Sequence, residues 1–309
     1  MTETAMTAAS TDAAPSAWPG GAKGALVVNV MYEQWDPGVA PGLGPMGNPL
    51  PAGALDHQAV GWADYGWRTG VGAALDLLAR EGVRATVYVS GILTETAPST
   101  VEAVVAEGHE LAAHAWAQNR VPAVSRREEE VEDVGRCAEA LARVGGQRPR
   151  GWISPRCTPS AHTAGILAAA GFDWFGDVFD ADLPYVLPTP SGPITALPFG
   201  LEVNDLPMTV RYGRPTEDLV RAFDFQARAV AQGRRLGYVD VTVHAHVGCR
   251  PSGLLALADI IASARRRGMW IATRGDVVDH WVTHRPTDSA VGTARADQTV
   301  EPAVVPVAT

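Results

Sequence analysis

From about residue 24 to residue 284, short apolar or β-branched runs alternate with longer stretches whose apolar positions recur every three or four residues. Ala25-Leu26-Val27-Val28-Asn29-Val30 is nearly continuous in apolar character, as a strand buried on both faces requires. The spacing predicts a helix from Val71 to Arg80 that ends near Gly82, then a strand over Ala85-Thr86-Val87-Tyr88-Val89. A helix from Thr100 to Glu107 is closed by Gly108 and followed by a strand through Leu111. Ser125 to Val144 reads as a long charged helix, with Ser125 and Glu128 at capping-box spacing. Arg150 to Ile153, Thr163 to Ala170 and Trp174 to Val178 continue the alternation as strand, helix and strand. Tyr238 to Val243 is a late strand, Leu254 to Arg266 a helix and Met269 to Ala272 a last strand. This order predicts an α/β fold with a parallel sheet, rolled into a barrel. Two Gly- and Pro-rich segments, Asp36 to Leu55 and Leu183 to Pro207, read as long loops, the kind that forms lids or interface arms.

Composition bounds the rest. At 309 residues and 46% hydrophobic, the chain can bury one large core, so a single domain over 24–284 is expected. Residues 1–23, rich in Ala, Thr, Ser and Pro, are expected to be a disordered tail, and 285–309 a flexible one. A formal charge of -9 with no basic cluster beyond Arg265-Arg266-Arg267 excludes nucleic acid and anionic membrane surfaces as partners. No run approaches the roughly 18 to 20 apolar residues of a membrane span. Three scattered cysteines and the lack of a signal pattern predict a reducing cytoplasm. The aliphatic strands and long arms predict a homo-oligomer.

The chemistry-bearing residues fall where predicted strands end. Glu33 and Gln34 follow the first strand, His114 follows the strand through Leu111, and His244 and His246 close the late strand. In a parallel barrel such positions converge on one rim, where catalysis is housed. His244 and His246, two apart on a strand, point to the same side. His109 reads as a structural turn residue, and His57, His162 and His280 as surface residues. Arg156 and Asp177 flank later strand ends, where a guanidinium can hold a carboxylate. Tyr65-Gly66-Trp67-Arg68 is expected to open a helix and to offer Arg68 to substrate, and Glu202-Val203-Asn204-Asp205 lies on a long loop.

In this order the motifs resemble the polysaccharide deacetylase superfamily, and more narrowly its branch of cofactor-independent allantoinases and cyclic imide hydrolases. The resemblance spans residues 24–282. It rests on Asn29 to Gln34, Tyr65 to Arg68, Ala85 to Gly91, Gly108 to Trp116 and Gly151 to Arg156. It rests also on Asp180 to Tyr185, Glu202 to Asp205, His244 to Pro251, Trp270 and Trp281. It implies an irregular (β/α)7 barrel. It further implies a base at Glu33, a general acid at His244 and a supporting pair at Arg156 and Asp177. Typical members place a second Asp and a His-x3-His pair on a divalent metal; here Gln34 replaces that Asp, and His114 is followed at the fourth position by Gln118. Two of the three ligands are therefore neutral amides, which zinc disfavours.

The expectation is a hydrolase of a non-peptide C–N bond in a small cyclic imide, ureide or lactam, acting through Glu33, His114 and His244 with no cofactor. Gln34, Arg68, Trp116, Gln118, Arg156, Asp177, Asn204 and His246 are expected to bind substrate. Alternatives are a metal-dependent N-deacetylase of an amino sugar, with a divalent ion such as zinc at a rearranged site, and an inactive ligand-binding barrel.

Overall fold

The computed structural model describes residues 17–42, 44–46, 50–51, 53–233 and 237–285. The two expected tails fall mostly at 1–16 and 286–309, outside the described residues. The first described residues are packed. Trp18 is buried with its indole 5.5 Å from that of Trp270, and its Nε1 donates to the Gly237 carbonyl. The domain therefore starts a few residues before position 24.

The strands are β1 (Gly24–Tyr32), β2 (Thr86–Val89), β3 (Glu110–Ala113), β4 (Gly151–Trp152), β5 (Trp174–Phe175), β6 (Tyr185–Leu187), β7 (Ile194–Ala196), β8 (Gly237–His244) and β9 (Trp270–Ala272). The helices are α1 (His57–Tyr65), α2 (Val71–Glu81), α3 (Leu93–Thr96), α4 (Pro98–Ala106), α5 (Arg127–Gly145), α6 (Thr163–Ala169), α7 (Glu217–Gln232), α8 (Pro251–Arg266) and α9 (Arg274–His284). The sheet runs β6-β7-β5-β4-β3-β2-β1-β8, and every pairing is parallel except the β6–β7 hairpin. β8 pairs with β1 from Gly24 to Met31, while β9 and β2 pair with its first and second halves. The result is an irregular β/α barrel. Its seam is filled by the segment after β7, where Asn204 bridges to Thr242 and the Gly200 N–H donates to Asp240.

Alternation along β1 explains why that run is apolar throughout. Leu26, Val28, Val30 and Tyr32 pack beneath the helices, whereas Ala25, Val27 and Met31 face Tyr88, Ile153 and Trp174 in the interior. Each such side chain stabilises the fold by roughly 1.5–3 kcal/mol when fully buried. The floor of the barrel holds a buried ion pair at its centre. Arg274, wholly buried, donates to both oxygens of Asp240 at 2.8 Å and to the Leu197 and Pro198 carbonyls.

Several local expectations shift. The Tyr65–Arg68 run does not open a helix: α1 continues through a π-turn at Gly66–Gly70 directly into α2. The α5 cap lies one residue later than Ser125, because Glu129 accepts from the Arg126 N–H at 3.0 Å while Ser125 donates to the Val121 carbonyl. The 183–207 loop contains the β6–β7 hairpin, and α7 follows it on the way to β8. α2 ends as expected at Gly82, in the left-handed region at φ 59°.

Candidate active site

Parallel strands deliver their C-terminal ends to one rim, and Glu33, His114, His244 and His246 meet there. They are nearly sealed from solvent, at 8%, 3%, 6% and 2% exposure. Nδ1 of His114 donates to the Ile153 carbonyl at 2.7 Å, which turns Nε2 toward Oε1 of Glu33, 3.2 Å away. The other oxygen of Glu33 is 3.7 Å from Nδ1 of His246. His246 stands edge-on to two indoles, with centroids 4.5 Å from Trp62 and 5.7 Å from Trp35. His244, 5.9 Å from His246 by ring centroids, is gripped twice by Asp205. Its backbone N–H donates to one carboxylate oxygen at 2.7 Å, and its Nδ1–H donates to the other at 2.5 Å.

These contacts separate the charge states. Burial alone would raise the pKa of Glu33. The charge of His244, the hydrogen bond from His114 and the charge of His246 outweigh it and hold the carboxyl at about 2. Burial likewise opposes a proton on His244, but the Asp205 and Glu33 carboxylates outweigh burial and raise its pKa. In His246 burial wins over the pull of Glu33 and pushes the imidazole down to about 4. The rim therefore holds an ionised carboxylate, an imidazole biased toward its protonated form and, at neutral pH, an uncharged imidazole within one buried site. Two titratable groups pushed apart in this way have the charge states that an acid–base pair needs.

The helical stretch through α1 and α2 positions the His244–His246 turn. A Cβ on Gly66 would lie 3.2 Å from the His246 nitrogen, and one on Gly70 only 1.9 Å from the Ala245 carbonyl oxygen. Only glycine lets the backbones approach so closely.

The other expected site residues separate into three groups. Gln34 and Gln118 are at the rim. The Gln118 amide donates to Ser90 Oγ and to the His114 carbonyl, both at 3.0 Å, and its backbone N–H donates to the Gln34 carbonyl. Gln34 Oε1 is buried with no partner among the described residues. Asp177 and Asn204 lie one layer back. Asp177 accepts from the Ser154 N–H and Oγ at 2.8 and 2.7 Å, fixing the strand end whose carbonyl orients His114, and burial raises it to about 6. Asn204 caps the Leu206 N–H at 3.1 Å and so shapes the turn that carries Asp205.

Trp116, Arg68 and Arg156 are not brought to Glu33. Trp116 packs outside the barrel with Ile92 and Ala140, under the Arg136 guanidinium at 3.4 Å. Arg68 is exposed and paired with Asp64 at 3.4 Å, and Arg156 is exposed beside Gly42. His109 is a turn residue, accepting from the Ala85 N–H at 3.1 Å; His57 and His162 are exposed, whereas His280 is half-buried against Trp18. Asp205, Trp35, Trp62 and Ser90 are the site residues that the sequence reading did not single out. Asp205 adjoins Asn204 in a run that it did quote, but nothing in the run marks a partner 39 positions away.

The donor set does not fit the divalent ion that a deacetylase would hold at Gln34, His114 and Gln118. The free nitrogen of His114 faces Glu33, and Gln34 and Gln118 offer only neutral amide oxygens where a carboxylate and an imidazole would bind the ion. Among the described residues, no group of three or more His, Cys, Asp or Glu is placed to hold a metal.

Residues 62–175 match the polysaccharide deacetylase family. No curated protein matches the sequence. Among solved structures, a probable polysaccharide deacetylase from Pseudomonas aeruginosa PAO1 superposes with a TM-score of 0.79 at 25% identity, covering 87% of this chain and 94% of that one. Puue allantoinase gives 0.79 at 23% identity, over 88% and 95%. A putative polysaccharide deacetylase from Mycobacterium smegmatis gives 0.74 at 24%, over 88% and 94%. The family match covers residues 62–175, and the fold agrees with that of these deacetylase and allantoinase structures.

Proposed function

We propose that this chain hydrolyses a C–N bond in a small cyclic imide, ureide or lactam by Glu/His acid–base catalysis without a metal. The observation that carries the proposal is the Glu33 carboxylate, lodged between His114 and His246 on the rim that also holds an Asp205-backed His244. The family match over residues 62–175 supports hydrolysis of a non-peptide C–N bond, and the likeness to an allantoinase supports a cyclic substrate.

Glu33, ionised at any working pH, takes a proton from water as it attacks the ring carbonyl. The neutral His246 imidazole offers an N–H to the oxyanion, a donor fixed in place before charge develops. His244 gives its proton to the departing nitrogen, and the ring opens to a carboxylic acid and an amine or amide. A metal would contribute several kcal/mol of carbonyl polarisation. Ring imides and ureides, already activated or strained, need that help less than an N-acetyl sugar does.

Glu33→Gln tests the assignment. It is isosteric, so circular dichroism should match the parent while turnover of hydantoin or succinimide falls by at least about a hundredfold. Unchanged turnover would remove Glu33 from the mechanism. Among the described residues no helix is long and apolar enough to cross a membrane. Cytoplasmic residence and a homo-oligomeric state are part of the same proposal, read out by fractionation and by sedimentation of the purified chain.

A further inference from the structure

Glu33 and His114 both stand just beyond the ladder that aligns their strands. The last registered pairs are Tyr32 with Val89 and Val89 with Ala113, one position before each of these two side chains. Past those points the strand ends are joined by a buried serine and a buried glutamine. Ser90, at the end of β2, brackets Glu33. Its N–H donates to the Tyr32 carbonyl at 3.0 Å, and its Oγ accepts from the Gln34 N–H at 3.3 Å. Gln118 joins this bracket to His114. Its side-chain nitrogen donates to Ser90 Oγ and to the His114 carbonyl, each at 3.0 Å, and its backbone N–H donates to the Gln34 carbonyl at 2.9 Å. A carbonyl can only accept, so the His114 bond fixes which end of the amide is nitrogen. One residue thus ties the ends of β1, β2 and β3. The tie also closes a strained turn: Ala115, just after His114, takes the left-handed φ of 57°, which a non-glycine residue keeps only where its surroundings impose it.

Resting on the function proposed above, we infer that Gln118, acting through Ser90, is the positioning residue that sets the Glu33 carboxylate against His114. In this role it does not touch the substrate ring. It fixes the two backbones from which the base and the imidazole project. Nε2 of His114 and Oε1 of Glu33 are 3.2 Å apart, so a shift of one ångström breaks their hydrogen bond, and misplacement of that size costs on the order of a hundredfold in rate. The requirement is chemical as well as steric. The clamp needs two N–H donors on one side-chain nitrogen, aimed at a hydroxyl and a carbonyl. Methionine has the reach of glutamine and no donor. Alanine at position 90 would leave the Gln118 amide one acceptor and the Gln34 N–H none. Geometry that serves the reacting atoms and not the bound ring is lost from kcat and kept in KM.

The test is steady-state turnover by the parent, Q118M, S90A and the double variant, each at a temperature where circular dichroism shows it folded. The substrate is whichever of hydantoin, succinimide, allantoin and dihydrouracil the parent opens fastest. Q118M keeps the backbone N–H bond to Gln34 and should lower kcat by about 10- to 100-fold, with KM within about twofold of the parent. S90A should do the same. The double variant should be about as slow as the slower single one, because both substitutions cut the same clamp, whereas independent structural losses multiply. If Q118M does not fold, the split between kcat and KM in S90A carries the test. A parent that opens none of the four rings removes the proposed function and this inference with it. A parent that opens one, with kcat unchanged in Q118M and S90A, overturns the inference alone. A loss confined to KM, which would make Gln118 a substrate contact, also overturns it, as does a double variant whose loss is the product of the two single losses.

Discussion

Gly70→Ala adds one methyl group at the point where α2 begins and the His244–His246 turn crosses it. The new Cβ would lie 1.9 Å from the Ala245 carbonyl oxygen and 2.9 Å from its carbon, against an ordinary contact of 3.4 Å or more. One of the two backbones must therefore give way by more than an ångström. Overpacking of this kind costs about 1–3 kcal/mol, and the better helix propensity of alanine returns up to about 1 kcal/mol. The net loss, up to about 2 kcal/mol after the full propensity gain, should lower the melting temperature by as much as roughly 8 °C for a chain of this size. The functional cost should be larger, because Ala245 sits between His244 and His246, the acid and the oxyanion donor of the proposed mechanism, and an ångström of misplacement costs on the order of a hundredfold in rate. Gly72→Ala is the control. It lies two residues further along α2, exposed, with nothing within 4 Å of its Cβ, so there the propensity gain stands alone and melting should rise slightly with activity intact. Differential scanning calorimetry and kcat/KM on a hydantoin-type ring decide between them. If Gly70→Ala and Gly72→Ala behave alike, the contact with Ala245 does not position the site.

Asp205→Asn keeps an acceptor for the His244 backbone N–H but removes the charge that raises His244. General-acid catalysis requires the protonated form, so kcat/KM in the parent should fall as pH rises through the raised His244 pKa. In the variant that limb should move to lower pH and the plateau should drop by about 10²–10⁴-fold; a pH–rate profile with an unmoved limb contradicts the pairing. Burial holds His246 at about 4 against an ordinary 6.5, so in that window the unfolded chain binds a proton that the folded chain refuses. This group costs nothing above pH 6.5, and its cost grows as pH falls toward 4, to on the order of 3 kcal/mol. Asp177, raised to about 6, acts in the opposite sense and favours folding as pH falls. Comparing His246→Phe with the parent isolates the histidine: urea unfolding from pH 7 to 4.5 should show a shallower acid loss in the variant, and parallel curves would refute a buried neutral His246.

Much of the site was legible because strand ends are legible. Ala25–Val30, Ala85–Val89 and Tyr238–Val243 are short β-branched runs, and the polar residues that follow them are bound to share a rim once the sheet is parallel. What sequence adjacency could not show was direction. Trp116 is two residues from His114, but Ala115 takes a left-handed φ of 57°, and the Trp116 N–H donates to Asp133, so the indole leaves the barrel and goes under α5. Asp205 was hidden for a different reason: its pairing with His244 is a product of barrel closure across the seam, which no local pattern encodes. The β6–β7 hairpin has only three residues to each strand, too few for a period to register. In α7 the buried residues Leu219, Phe223 and Ala227 do keep a four-residue spacing, yet they are sparse among charged neighbours.

The proposed C–N hydrolysis by Glu33 and His244 needs no ion at Gln34, His114 and Gln118. The most direct measurement is turnover of a panel (allantoin, hydantoin, succinimide, dihydrouracil and N-acetylglucosamine oligomers) by protein of known metal content, with and without chelator. Ring opening that persists at full rate in metal-free, chelator-treated protein is the predicted result. Deacetylation of the sugar oligomers that scales with one bound metal per chain, and is lost on chelation, would contradict it and place a metal at Gln34, His114 and Gln118 after all.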